Sequence, residues 1–287
     1  MQTFSFEATS RFVDTPKGRI HYHEAGAGPA LLLIHGSGPG VTGWANFAGN
    51  LPVFAPHYRC IILDLPGYGR SDPVEGPPIP GCVDACFRLL EALKVERAHV
   101  IGNSLGGVVG SYMAAQQPAR IDRFVTIGGI GVNVFTAFPG EGINLLTAFA
   151  EDPTRERIET WLRSMVFDQA LITPELIETR FRNATDPVTL ATSRQMYSRA
   201  SINALATEFR GPNAAFRLGH LSSIQAPTLL TWGRDDRVSP LDMCLMPMRL
   251  IPHCELHVFP NCGHWAMIER KAEFESLVLA FLGRKAA

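Results

Sequence analysis

Neither sign of charge dominates this chain: 26 Lys and Arg stand against 27 Asp and Glu, for a formal net charge of −1 over 287 residues. Without a basic surplus or a Lys/Arg run, the electrostatic footprint that nucleic acid or an anionic bilayer demands is missing, and neither is expected as a partner. No apolar stretch approaches the roughly 18–20 residues of a spanning helix; the longest clean runs, such as Ala30 to Ile34, suit buried strands. The first residues, Met1-Gln2-Thr3-Phe4-Ser5-Phe6-Glu7, lack the basic start and apolar run of a signal peptide, so a cytoplasmic protein is expected. Cysteines are few, at positions 60, 82, 86, 244, 254 and 262. With nothing else pointing to secretion they are expected to be reduced and to act as small apolar fillers. Cys82 and Cys86 share a helical face but have no nearby Cys/His pair to complete a zinc set. His21 and His23 face one side of a hairpin strand without an evident third ligand, and no metal or other cofactor is expected.

What the chain does have is the composition of a globular domain, 46% hydrophobic and 18% charged, long enough for one large α/β domain or two small ones. The pattern from Phe12 to Glu24 around Thr15-Pro16-Lys17-Gly18 predicts two antiparallel strands. Then apolar runs of strand length (Ala30–Ile34, Cys60–Asp64, His99–Gly102, Arg123–Ile127) alternate with stretches of helical period (Trp44–Phe54, Val83–Leu93, Leu105–Gln117). Such alternation implies right-handed crossovers and a mainly parallel sheet covered on both faces. Between Gly131 and about Gly219 only helical patterns occur: Ile143–Phe149, Thr154–Phe167, Pro174–Phe181 and Pro187–Tyr197. Strands resume at Thr228–Trp232 and Glu255–Phe259, with helices near Leu241–Leu250 and Lys271–Leu282. The expected fold is α/β, a doubly wound, mostly parallel sheet with a helical cap inserted after the sixth strand. Residues 1–130 and 220–287 would form the core and 131–219 the cap.

Gly102-Asn103-Ser104-Leu105-Gly106 fits G-x-S-x-G between an apolar strand and a helix. There the turn pushes the serine out at the strand end, and small flanking residues let strand and helix approach: the nucleophile elbow of α/β-hydrolases. Serine attacks only when a base takes its proton, and the base needs an acid to hold its tautomer. Downstream, Trp232-Gly233-Arg234-Asp235-Asp236-Arg237 and Asn261-Cys262-Gly263-His264-Trp265 each follow a strand, on the same side of the sheet as Ser104. His264 is read as the base and Asp236 as its acid, preferred over Asp235 partly on the resemblance described next. The loop Gly128-Gly129-Ile130-Gly131 offers no competing carboxylate, His35 suits loop support, and no elbow presents Cys262. The oxyanion site needs two backbone N–H donors, taken as those of Leu105 and Ser37.

With these motifs in place the chain resembles the meta-cleavage product hydrolases of the α/β-hydrolase superfamily, carbon–carbon hydrolases of aromatic-ring catabolism. The resemblance runs from about Phe12 to the C-terminus. It rests on His35-Gly36-Ser37-Gly38-Pro39-Gly40 with Trp44-Ala45-Asn46, on Gly102-Asn103-Ser104-Leu105-Gly106-Gly107, on Asp168 to Leu176 followed by Arg180-Phe181, and on the Asp236 and His264 loops. Leucine stands at 105 where the family usually has methionine, which keeps the backbone donor and alters pocket shape.

The resemblance implies a triad of Ser104, Asp236 and His264, oxyanion donors at Ser37 and Leu105, and substrate contacts from Asn46, Asn103, Arg180 and Trp265. The substrate would be a 2-hydroxy-6-oxo-hexa-2,4-dienoate, cleaved to a 2-hydroxypenta-2,4-dienoate and a carboxylic acid, with His264 assisting ketonisation and activating Ser104 or a water. A cation gripping the C1 carboxylate and C2 oxygen is the part a plain esterase lacks, and Arg180 is the candidate. Arg182, Arg194 and Arg199 are read as solvated. Phe135, Phe138, Phe149, Trp161 and Met165 are candidates to line the pocket for the C6 substituent, although as a group they also suit cap core. A homo-oligomer, dimer or larger, is expected. The alternative reading is a carboxylesterase or lactonase on the same triad.

Overall fold

Short apolar runs and stretches of helical period alternate in the chain, several of them closed by glycine or proline, and the fold follows that alternation. The computed structural model describes residues 3–211 and 214–284. One sheet contains β1 (Ser10–Thr15), β2 (Gly18–Ala25), β3 (Ala30–Ile34), β4 (Arg59–Leu63), β5 (Ala98–Asn103), β6 (Ile121–Ile127), β7 (Thr228–Gly233) and β8 (Cys254–Phe259), in the order β1-β2-β4-β3-β5-β6-β7-β8. The β1–β2 and β2–β4 pairs are antiparallel; the other pairs are parallel. The helices before β7 are α1 (Phe6–Thr9), α2 (Gly43–Phe47), α3 (Leu51–Phe54), α4 (Pro78–Ala92), α5 (Leu105–Gln116), α6 (Glu141–Glu151), α7 (Arg155–Met165), α8 (Pro174–Ala184), α9 (Pro187–Tyr197) and α10 (Arg199–Arg210). After β7 come α11 (Leu245–Leu250), α12 (Ala266–Glu269) and α13 (Lys271–Leu282). Between β6 and β7 the described residues contain helices and no strand, as expected.

Along β3, Leu31 and Leu33 join Cys60, Ile62, Ile101 and Val125 in one cluster, while Leu32 and Ile34 join Ile61, Leu63, Val100 and Phe124 in another. A strand buried on both faces has no side for water, which is why these strands read as unbroken apolar runs. Phe54 of α3 and Phe274, Val278 and Phe281 of α13 belong to the first cluster, and Val83 and Leu90 of α4 and Val109 and Met113 of α5 to the second. Each such side chain contributes roughly 1.5–3 kcal/mol of transfer free energy. This construction leaves the loops after β3, β5, β7 and β8 together at the carboxyl end of the sheet.

Among the elements that differ from the sequence reading, three have a local cause. The helix expected over Trp44–Phe54 is broken by a 3₁₀ turn at Ala48–Asn50, where Gly49 and the following Pro52 weaken α-helical continuity. Helix α4 starts at Pro78, earlier than expected, because proline is tolerated in a first turn whose N–H groups have no partner anyway. Helix α10 was not foreseen; Ser198 breaks the preceding pattern but caps the new helix, accepting the Ser201 N–H.

His21 and His23 share a face of β2, but it is a covered face rather than a hairpin surface. They are 0% and 1% exposed, and Phe6 and Trp44 each lie 4.6 Å from His23, ring centre to ring centre. His21 Nδ1 lies 2.7 Å from Asp64 Oδ2, and Asp64 Oδ1 accepts the Gly43 N–H at 2.7 Å. No group of three or more His, Cys, Asp or Glu side chains among the described residues is arranged to hold a metal. Burial, and secondarily His21, push the His23 imidazole from 6.5 down to about 4.

The folded state therefore keeps His23 neutral where the unfolded chain would protonate it. Stability is full above pH 6.5 and declines as pH falls toward 4. At pH 5 this one group should account for a loss of roughly 2 kcal/mol relative to pH 7. Urea unfolding at the two pH values should show that loss in the wild type and a smaller one in His23→Asn; equal losses would assign the acid sensitivity elsewhere.

Candidate active site

Strand β5 runs into α5 through one residue, Ser104, held at φ 53° and ψ −116°. That sparsely populated conformation turns the chain sharply enough to lift the side chain off the strand end. It also forces strand, turn and helix together. A Cβ on Gly102 would lie 2.2 Å from Gly106 O, and one on Gly106 would lie 2.0 Å from Ile34 O, so only glycine fits at either side of the elbow. Leu105 is the first residue of α5, and its N–H has no intrahelical acceptor.

His264 and Asp236 come from the loops after β8 and β7, and His264 Nδ1 lies 2.6 Å from Asp236 Oδ2. The other oxygen, Asp236 Oδ1, accepts the N–H groups of Val238 at 2.8 Å and Ser239 at 2.9 Å. Both acceptors are thus used, which fixes the carboxylate and through it the imidazole. Asp235 points elsewhere: its Oδ2 accepts the Cys262 N–H at 3.3 Å, and it pairs with Arg234. Gly128 leaves room for the pair, since a Cβ there would lie 3.3 Å from His264 Cε1 and 3.4 Å from Asp236 Oδ2. Ser104 and His264 line one cavity; among the described residues no hydrogen bond joins their side chains, a looseness common before substrate binds. Cys262 is buried, and burial raises its thiol well above the ordinary value, so it is inert.

The base loop is also tied to the helices between β6 and β7. His264 N–H donates to Met165 O at 2.6 Å. Glu269 accepts the Gly263 N–H at 2.8 Å through one oxygen and the Phe167 and Asp168 N–H groups at 2.7 and 3.2 Å through the other. Burial pushes the Glu269 carboxyl up despite these donors. One carboxylate therefore clamps the start of the base loop to the end of α7.

The loop after β3 completes the floor. His35 is buried and accepts the Leu65 N–H at 2.9 Å, the supporting role expected of it. Gly36 lies against the elbow, where a Cβ would be 3.2 Å from Ser104 Cβ, which brings the Ser37 backbone beside the nucleophile. The Ser37 hydroxyl is hydrogen-bonded to the Tyr197 hydroxyl at the end of α9, and burial raises the Tyr197 phenol to about 12. Tyr197 was not foreseen; the contact joins residues 160 positions apart, and no local motif marks it. Asn46 Nδ2 donates to Asn103 Oδ1 at 2.9 Å, and Asn103 Nδ2 to Ile127 O at 3.0 Å, leaving the Asn46 carbonyl oxygen available beside Ser104.

Arg180 sits on the inner face of α8, which starts with Thr173 accepting the Leu176 N–H and with Pro174. Its side chain is only 4% exposed by residue area, whereas Arg182, Arg194 and Arg199 are exposed. The guanidinium lies 5.2 Å from the ring centre of Trp265, with one long hydrogen bond of 3.5 Å to Pro39 O and its Nε buried without a partner. Burial lowers its pKa to about 10, so it stays charged at neutral pH. Among the described residues it has no carboxylate partner.

One cavity gathers Ser37, Asn46, Asn103, Ser104, Arg180, Tyr197, His264 and Trp265, with Ile143, Leu146, Trp161, Met165 and Val238 on its apolar walls. Of the five residues read as pocket candidates, Trp161 and Met165 line it. Phe149 is instead fully buried in the core, Phe138 packs edge-on against Phe209, and Phe135 is 83% exposed. Their positions within the helical segment could not separate these fates, because orientation is set by packing.

A serine on a strand-to-helix elbow and a His–Asp pair on later loops of the same sheet define an α/β hydrolase. Residues 29–271 match the family described as the alpha/beta hydrolase fold. The chain is 38% identical to the 2-hydroxy-6-oxononadienedioate/2-hydroxy-6-oxononatrienedioate hydrolase of Paraburkholderia phymatum, over 98% of each protein. It is 37% identical to the 2-hydroxy-6-oxo-6-phenylhexa-2,4-dienoate hydrolase of Burkholderia cepacia, over 98% of this chain and 99% of that one. The solved meta-cleavage product hydrolase of Pseudomonas fluorescens superposes with a TM-score of 0.84 at 29% identity, covering 96% of this chain and 97% of that one. The chain belongs to the α/β-hydrolase fold family and, within it, to the meta-cleavage product hydrolases.

An unpaired buried cation weakens the fold that contains it. Replacing it by an apolar side chain of similar length, Arg180→Met, should stabilise the ligand-free protein by about 1–3 kcal/mol and raise its melting temperature by roughly 2–8 °C. Calorimetry without ligand checks this; a variant that melts lower would mean the guanidinium is already satisfied.

Proposed function

We propose that the protein hydrolyses the C5–C6 bond of a 2-hydroxy-6-oxo-hexa-2,4-dienoate, giving a 2-hydroxypenta-2,4-dienoate and a carboxylic acid. The observation that carries this reading is a charged guanidinium, buried without a counter-ion, in the same cavity as a serine and a histidine–aspartate pair. The names of the similar proteins agree with it. A plain carboxylesterase or lactonase has no use for such a cation, which costs stability.

Breaking a C–C bond hydrolytically expels a carbanion, so the leaving fragment needs an electron sink. Moving the proton of the C2 enol to C5, with His264 assisting, makes C2 a ketone and leaves a C3–C4 double bond. Ser104, deprotonated by His264, then adds to C6, and the C6 oxyanion meets the N–H groups of Leu105 and Ser37. When the adduct collapses, the C5–C6 bond breaks and its electrons run through C4 and C3 to the C2 oxygen. Arg180 faces the C1 carboxylate and the C2 oxygen, where that charge arrives, with bidentate geometry. Water, activated by His264, then frees the acid from Ser104. Asp236 holds the imidazole; Asn46, Asn103 and Trp265 position the substrate.

In this reading residues 131–219 act as a cap over a core formed by 1–130 and 220–287, and α8 of the cap delivers the cation. No described helix is long and apolar enough to cross a membrane. A cytoplasmic location is supported by six unpaired thiols, which a reducing compartment permits. A homo-oligomer has support in the exposed Val134 and Phe135, whose N–H groups are held by Asp242, and the nearby exposed Leu245, Met246 and Met248. A monomer in sedimentation velocity would remove that last part.

Arg180→Gln should lower kcat/KM for a dienoate, followed by loss of its yellow colour, by roughly 10²–10³-fold. Turnover of p-nitrophenyl acetate should stay within about threefold of wild type, because the oxyanion donors and the nucleophile are untouched. Parallel losses on both substrates would favour the esterase reading.

A further inference from the structure

The cavity walls differ in chemistry. Arg180 packs with Pro39 and Gly40 of the loop after β3. The walls next to the catalytic pair are apolar. Val238 follows Asp236 by two residues, Gly142 packs against Val238 and is followed by Ile143, and Met165 accepts the His264 N–H. Leu146 also lines the cavity, and so does Trp161, whose ring lies against Gly38 of the loop after β3. A substrate held by its C1 carboxylate at Arg180, with C6 at Ser104, must lay its C6 substituent along these residues.

Among the described residues Arg180 is the only lysine or arginine lining the cavity. The neighbouring arginines point away: Arg163 pairs with Glu159, and Arg237 with Glu141 and with the Arg163 carbonyl. A spare neutral donor among the described cavity-lining residues is the indole N–H of Trp161, buried without a partner. A single neutral donor does not replace the hydration shell of a carboxylate, and burying an ion without a counter-ion is among the costliest changes a site can suffer.

From this we infer that the substrate is a mono-acid, a dienoate whose C6 substituent is uncharged and apolar, and that this site discriminates against dioates. The inference rests on the dienoate-hydrolase reading above. It separates this chain from the nonadienedioate hydrolase it resembles and groups it with the hydrolase named for a 6-phenyl substrate.

Three dienoates decide it: those with methyl, phenyl and carboxyethyl at C6, the last being the nonadienedioate. For the wild type, kcat/KM on the better of the two apolar substrates should exceed that on the dioate by at least about 100-fold, the ratio expected when one substrate must bury an unpaired charge. The difference should lie mainly in binding. Ile143→Lys, which places a counter-ion on the half-buried wall, should shift the ratio toward the dioate by about tenfold or more. A dioate cleaved as well as the apolar substrates overturns the inference and leaves the hydrolase reading standing. Cleavage of none of the three, with p-nitrophenyl acetate still turned over, brings down the hydrolase reading itself.

Discussion

A positive charge enclosed without a negative one is the constraint around which the active end of this molecule is organised. The Arg180 guanidinium is covered by Trp265, touches one carbonyl at long range and leaves a donor unused. Proteins do not keep such a group for stability, since the desolvation of an ion exceeds what one weak hydrogen bond and a ring face return. It makes sense as half of an ion pair whose other half arrives with the substrate. In the proposed reaction, charge separation along the dienoate couples binding to chemistry, because the C2 oxygen beside the carboxylate is where electrons collect as the C–C bond breaks.

That arrangement depends on holding two parts of the chain in register. The cation is carried by a helix inserted between β6 and β7, while the nucleophile and the His–Asp pair sit on loops of the sheet. Three kinds of contact tie them. Glu269 and the Met165 carbonyl hold the base loop to the end of α7. The Tyr197 hydroxyl reaches from α9 to Ser37. The third is close packing of main chains: a Cβ on Gly40 would lie 2.1 Å from Arg180 O, so the loop that flanks the nucleophile runs directly against the helix that bears the cation. Moving the helix moves the loop, which in the proposed reaction sets the distance between C1 and C6 recognition.

The features that were readable from the sequence are those with a local cause. The elbow is legible because its strain demands small neighbours at fixed offsets, and the unbroken apolar strands because a sheet covered on both faces excludes polar residues. The choice of Asp236 over Asp235 was not local. Adjacent carboxylates look alike until the loop turns one to His264 and the other to the Cys262 N–H, and resemblance supplied the preference. Arg180 was likewise singled out from the other cap arginines through the resemblance, and the packing of α8 buries it while Arg182, Arg194 and Arg199 are exposed. Tyr197 and Glu269 went unseen because each acts across a long separation in the chain. The same cause left open whether Phe135, Phe138 and Phe149 face the cavity or the core, which packing decided against the cavity for all three, and hid the cover that Phe6 and Trp44 put over His23.

The most direct test is a crystal structure of the Ser104→Ala variant soaked with the 6-phenyl dienoate. The account predicts the substrate's C1 carboxylate paired with the Arg180 guanidinium through two hydrogen bonds of about 2.7–2.9 Å, with C6 over the elbow. A guanidinium rotated toward solvent, or a carboxylate bound elsewhere in the cavity, would contradict it.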